Sequence, residues 1–201
     1  MKRLLLLATL AQGACSGLFQ THDVAPAVYT LNGASLPPAP GAIQATLSVA
    51  RPGARPGLDD ERIAVRLPDH RLDAYAGARW SGPLPRLVEA LIVDGFRASN
   101  GWRAVVSESS AFPGRYLLQT EIVDFAADYG GGAPLVHVVL RAELGRSAGR
   151  ELVASLEAKG EARAAADRQR DVAAAFEAAA DQAVAALVAA ANAAALAAEA
   201  R

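Results

Sequence analysis

Cysteine is all but missing from this chain: Cys15 is the only one in 201 residues. Neither a disulfide framework nor a cysteine-based metal site can be built from it. Histidine is nearly as scarce. His22, His70 and His137 stand far apart in sequence, so the local spacing of a zinc motif is absent. An excess of either charge is also lacking, since 20 basic residues face 21 acidic ones for a net charge of −1. That balance does not provide the basic footprint a nucleic-acid binder needs. Aromatic residues make up only 5% of the chain, and the bias toward alanine, arginine, glycine and proline reflects codon usage rather than function.

Catalytic signatures are missing too. Ser107, Ser109 and Ser110 surround Glu108, but no Gly-x-Ser-x-Gly elbow encloses them. Gly130-Gly131-Gly132 is followed by no Lys-Ser/Thr pair, so it reads as a hairpin turn rather than a phosphate cradle. Asp59-Asp60-Glu61 lacks the spacing of a calcium loop and reads as a solvated loop before a strand. The expectation is a protein that is not an enzyme and carries no cofactor or metal.

What is present begins at the N-terminus. Lys2 and Arg3 precede an apolar stretch from Leu4 to Leu10, interrupted only by Thr9, and Gln12-Gly13-Ala14 lead to Cys15. This is the layout of a secretory signal, with an apolar run too short to span a bilayer. Residues 1–14 are therefore expected to be a removable signal peptide. Two small residues before a cysteine are similar to the lipobox of bacterial lipoproteins, with Gln12 standing where leucine is usual. That resemblance implies acylation of Cys15, and several acyl chains give stable anchoring because each buried methylene adds about 0.8 kcal/mol. Residues 15–27 would form the tether, and about ten of them reach at most roughly 35 Å.

Further along, Val28-Tyr29-Thr30-Leu31 is a short β-like run. Asn32 to Gly41, with Pro37, Pro38 and Pro40, is a loop. Ala45–Val49 and Ile63-Ala64-Val65-Arg66-Leu67 alternate as strands do. Arg51–Leu58 reads as a loop, Leu72–Tyr75 as a short pairing strand, and Arg79-Trp80 as a turn. Pro83 and Pro85 suit a helix start. Leu84, Leu87, Val88, Leu91, Ile92 and Phe96 then recur at helical spacing, with Asn100-Gly101 as the stop. Trp102–Val106 is a strand. Tyr116–Phe125, Leu135–Leu144 and Glu151–Ala162 are longer strands that alternate apolar with polar, as antiparallel strands with one wet face do. Asp167 is placed to cap a last helix whose stripe is Val172, Phe176, Ala180, Val184 and Leu187. Residues 191–201 are almost pure alanine, strong in helix propensity but poor in buriable surface, and are expected to fray.

Strands, a helix, more strands and a second helix give an α+β two-layer sandwich, mainly antiparallel, with two helices covering one face of the sheet. The main domain is expected to span 28–190.

These residues also resemble a known family. Tyr29-x-Leu31, Arg62-Ile63-Ala64-Val65-Arg66-Leu67-Pro68, Leu72 and Tyr75, Ala78-Arg79-Trp80-Ser81 and Pro83-Leu84-Pro85 are similar to the motif block of the ABC-type transport auxiliary lipoprotein family. Glu121 and Asp124-Phe125 fit it as well. The resemblance implies a non-enzymatic part in lipid (phospholipid) transport across a Gram-negative envelope. The implied partners are a periplasmic MCE-domain protein and the ABC transporter permease and ATPase, and the implied place is the periplasmic side of the outer membrane. Ser16 after the cysteine, rather than Asp, fits outer-membrane sorting. Tyr29, Arg79 and Trp80 become candidate contacts, either structural, at the strand-to-helix corner, or with a partner. An envelope assembly factor for an outer-membrane protein or glycolipid is the alternative role.

Overall fold

The computed structural model describes residues 25–33 and 36–200. Nine strands and two helices follow one another as β1 (Ala27–Tyr29), β2 (Ile43–Val49), β3 (Gly53–Ala54), β4 (Arg62–Arg66), β5 (Leu72–Trp80), α1 (Leu84–Ala98), β6 (Trp102–Ser107), β7 (Tyr116–Asp128), β8 (Leu135–Arg146), β9 (Glu151–Arg163) and α2 (Gln169–Glu199).

The long strands β7, β8 and β9 form an antiparallel meander. The other edge of β7 is shared by three shorter strands in succession. β2 pairs with its start, β3 with its middle and β4 with its end. β6 extends the sheet beyond β2, and β5 and then β1 extend it beyond β4. Five of the eight strand pairings are parallel. The α+β two-layer arrangement is as expected, but the sheet is mixed. Polar-out alternation marks a wet face and carries no information on the direction of a neighbour, so the parallel pairings left no trace in the sequence pattern.

Helix packing follows from composition. In α1 the apolar stripe Leu84, Val88, Leu91, Ile92 and Phe96 is buried, as 3.6-residue spacing requires. Pro83 stands at the N-cap, and Asn100 adopts a left-handed φ of 49° just past the end, a position that asparagine tolerates better than most residues. α2 is different. It is long and apolar enough to cross a membrane, yet half of its most apolar window is buried inside the domain. A Cβ placed on Gly160 of β9 would sit 1.9 Å from the Ala179 carbonyl oxygen and 2.9 Å from the Ala183 nitrogen. The helix backbone rests almost directly on the sheet there, which only glycine facing alanine permits.

Four expectations are corrected. Residues 72–80 form one nine-residue strand, so Arg79-Trp80 is not a turn. Gly77 at φ 68° and a shifted register against β4 place a bulge where the chain looked broken. Residues 51–58 are not wholly loop, because Gly53–Ala54 pairs with β7. Asp167 does not cap α2: Arg168 occupies the N-cap position with no side-chain cap bond. The alanine-rich end does not fray from residue 191, since α2 runs to Glu199 with Ala191, Asn192 and Ala195 buried. Small side chains bury little area each but let the backbones approach, and the packing gained holds this end.

Candidate functional site

The corner between β5 and α1 carries the three residues singled out from sequence. β1 pairs in parallel with β5, setting Tyr29 opposite Trp80. Ser81 N–H donates to the Tyr29 carbonyl at 2.7 Å, and Trp80 N–H donates to the Glu61 carbonyl at 2.7 Å. The Arg79 guanidinium donates to the Glu61 carboxylate, and Leu84 N–H, at the first turn of α1, donates to the Asp60 carbonyl at 2.9 Å. Asp60 in turn accepts from the backbone and side chain of Arg62. The acidic run is therefore a clamp on the corner rather than a merely solvated loop. Sequence reading missed this because the clamp joins residues as far apart as Glu61 and Arg79, 18 positions along the chain.

Trp80 is fully buried, which removes it as a direct partner contact. Its ring meets Phe176 of α2 edge-on at 5.3 Å and Phe125 of β7 at 6.1 Å, and Phe125 and Phe176 stack at 5.3 Å. Edge-to-face and offset arrangements of this kind add about 0.5–1.5 kcal/mol per pair beyond area burial. Phe125 reaches this cluster through a bulge between Ile122 and Asp124, which resets the inward alternation of β7. Among the described residues the Trp80 indole N–H has no partner. Arg79 and Tyr29 are half-buried and remain accessible at the rim.

A second polar centre joins the far end of α2 to the sheet. The Trp102 indole N–H donates to Asn192 Oδ1 at 2.7 Å, Asn192 Nδ2 donates to Ser99 Oγ at 3.4 Å, and Ser99 Oγ donates to the Phe96 carbonyl at 2.8 Å. Beyond it, the Tyr116 hydroxyl donates to Glu199 at 2.6 Å, with Arg115 at 3.1 Å from the same carboxylate. The hydrogen bond from Tyr116, with Arg115 and Arg146 nearby, holds the Glu199 carboxyl below its usual range. At the opposite end, Asp167 accepts from the hydroxyls of Tyr129 at 2.9 Å and Tyr75 at 3.3 Å. Burial first, and then that carboxylate, push the Tyr129 phenol far up, so it stays a donor.

Above the Trp102–Asn192 centre lies an open apolar cleft of about 480 Å³, between the proline-rich strap 36–40 and the outer side of α2. Sequence analysis read the strap only as a loop. Its apolar prolines facing an alanine-rich helix were the available signal.

His137 sits on the outer sheet face, between Asp128 at 3.4 Å and Glu161 at 3.2 Å. Ser109 lies in the loop leading to the start of β7, whereas His137 pairs with Ala126 near its end, roughly 30 Å away along the strand. The structure does not bring the two together. His70 occupies the β4–β5 turn at φ 63°. Among the described residues no group of three or more His, Cys, Asp or Glu side chains has a metal-holding arrangement. Cys15 and His22 lie outside the described residues.

A small two-layer α+β domain with a clamped corner and an apolar cleft is thus the class of protein these features define. Comparison with protein families then matches residues 29–192 to the ABC-type transport auxiliary lipoprotein component. The chain belongs to that family, and so to the lipoproteins that serve ABC-type transport in the cell envelope. The matched segment holds the corner, the aromatic cluster and most of the cleft. Among solved structures, protein XCC0632 from Xanthomonas campestris is similar at 28% identity and a TM-score of 0.79, over 87% of this chain and 99% of that one. An uncharacterized protein at 15% identity and a TM-score of 0.58, over 76% and 90% of the two chains, shares the fold. Comparison with curated proteins gives no match.

Proposed function

We propose that this protein is a non-enzymatic auxiliary lipoprotein of an ABC/MCE-type transporter that moves phospholipid across the envelope. Acyl groups on Cys15 hold it at the periplasmic face of the outer membrane. The family match over residues 29–192, downstream of Gly13-Ala14-Cys15-Ser16, is the observation that carries this reading. A tether raises the effective concentration of the domain near its partner.

The sheet edges suggest where an MCE-domain protein would dock. The β6 edge is blunted, because the Arg97 guanidinium donates to the Val105 carbonyl at 3.3 Å. On β9 the Gln182 side chain accepts from Glu161 N–H at 3.2 Å, which occupies the later half of that edge. The first half of β9 keeps an exposed Leu152 and offers a stretch for strand addition.

The test is crosslinking in native envelopes followed by identification of the partners. Capture of an MCE-domain protein and the ABC permease supports the role. Capture of an outer-membrane assembly barrel, with no MCE protein, replaces it with the assembly-factor reading. Cys15→Ala is expected to move the protein from the membrane to the soluble periplasmic fraction.

A further inference from the structure

The strap cleft has a chemistry that selects its ligand. One wall is the segment Leu36 to Pro40, in which Pro37, Pro38 and Pro40 have no N–H to offer and the Ala39 N–H is spent on the Ser99 carbonyl at 2.7 Å. The other wall is α2, which presents Ala189, Val188 and Leu196. The polar side chains at the base are Ser99 and Asn192, and both are already engaged with Trp102, with Phe96 and with each other. Among the described residues no charged side chain lines the cleft. A ligand that needed donors or a counter-charge would lose its hydration without replacement, whereas an apolar chain would lose nothing.

Shape narrows the choice further. Along α2 the lining runs from Ala185 to Leu196, about 16 Å at the helical rise. A volume of about 480 Å³ drawn out over that length is a slot for a linear chain rather than a bowl for a ring system.

We propose that this cleft binds one acyl chain of a lipid other than the protein's own anchor. The inference rests on the lipid-transport reading for the source of the ligand, and on the cleft itself for its class. The anchor would have to reach the cleft from the far end of the last helix. β1 starts beside Ala78, and the Gln169 side chain donates to the neighbouring Ala76 carbonyl at 3.0 Å, so the chain enters the domain at the N-terminal end of α2. The cleft opens at Ala185, 16 residues past Gln169 along that helix, roughly 24 Å away. An anchor that filled it would use most of the tether's reach of roughly 35 Å, a constraint that a separate lipid does not carry.

The test uses the full-length lipoprotein in envelopes of cells fed a photoactivatable palmitic acid analogue, which enters their phospholipids. Illumination is expected to place crosslinks on the strap or on the 185–196 stretch of α2. Ala189 is exposed at the cleft, so Ala189→Trp fills it without touching the core and is expected to lower labelling about tenfold, a change of roughly 1.4 kcal/mol. Ala193→Asp, which sets a charge in the same exposed wall, should do likewise, and it serves if the tryptophan variant misfolds. Ala186→Trp, exposed but outside the cleft, should label as the wild type does. Cys15→Ala, recovered in the soluble fraction and illuminated with vesicles made from the labelled phospholipids, should still crosslink at the cleft, whereas loss of those crosslinks would mean that the anchor had been the occupant and would overturn the assignment. Wild-type labelling elsewhere, or undiminished labelling of both cleft variants, also overturns it. Transporter crosslinks retained alongside such a failure would leave the auxiliary role standing.

Discussion

The two helices are held to the same sheet by different means. α1 is anchored by bulk, with Leu91, Ile92 and Phe96 filling the space above β2 and β6. α2 is anchored by closeness, its alanines riding on Gly160, and by a few large side chains, Phe176 and Leu187 among them. The difference teaches that a low-complexity helix can be a core element. A bulky stripe tolerates partial repacking when one residue shrinks, but a backbone contact has no slack.

That contrast can be broken most severely at Gly160. Gly160→Leu forces α2 off the sheet, with an expected loss of about 3 kcal/mol or more, measured as a drop in the urea midpoint with a changed m-value. A fully stable variant would mean the contact is looser than described. Leu91→Ala in α1 removes bulk alone and should cost about 3 kcal/mol while leaving the m-value unchanged. Asn192→Leu should cost about 2 kcal/mol, because the buried Trp102 N–H loses its acceptor, and a shift in tryptophan fluorescence would report that loss locally.

The smallest effect belongs to the end of α2. Glu199 has its carboxyl held low by Tyr116. A depressed folded-state value means that the bond contributes stability above the usual carboxylate range and loses it as pH falls through the folded value. Tyr116→Phe should therefore flatten the acid side of the stability–pH curve. Thermal melts from neutral to acidic pH check it. An unchanged slope would show the bond contributes nothing.

Much of this was legible in the chain itself. The α1 stripe, the three long strands and the Asn100 stop all follow local periodicity, so they could be read directly. The bulge that turns Phe125 inward could not, because a one-residue slip is decided by which pairing buries more, not by the strand's own pattern. The Asp60–Glu61 clamp and the Asp167 tyrosine site depend on partners far off in sequence. The fate of residues 191–199 was misjudged because alanine was weighed by its area and not by the approach it allows. The corner residues Arg79 and Trp80 were recognisable as a motif, whereas the strap cleft needed the fold to bring residues 36–40 against residues 185–196 of the last helix.

The short strand β1 has a mechanical consequence. It is the first strand met by any pull arriving through Pro26, and it is fastened to β5 in parallel and through the Ser81–Tyr29 bond. A pull along the strand axis loads its hydrogen bonds together in shear instead of opening them one by one. While β1 holds, tension arriving through Pro26 stops there, and the proline wall beyond it stays at rest.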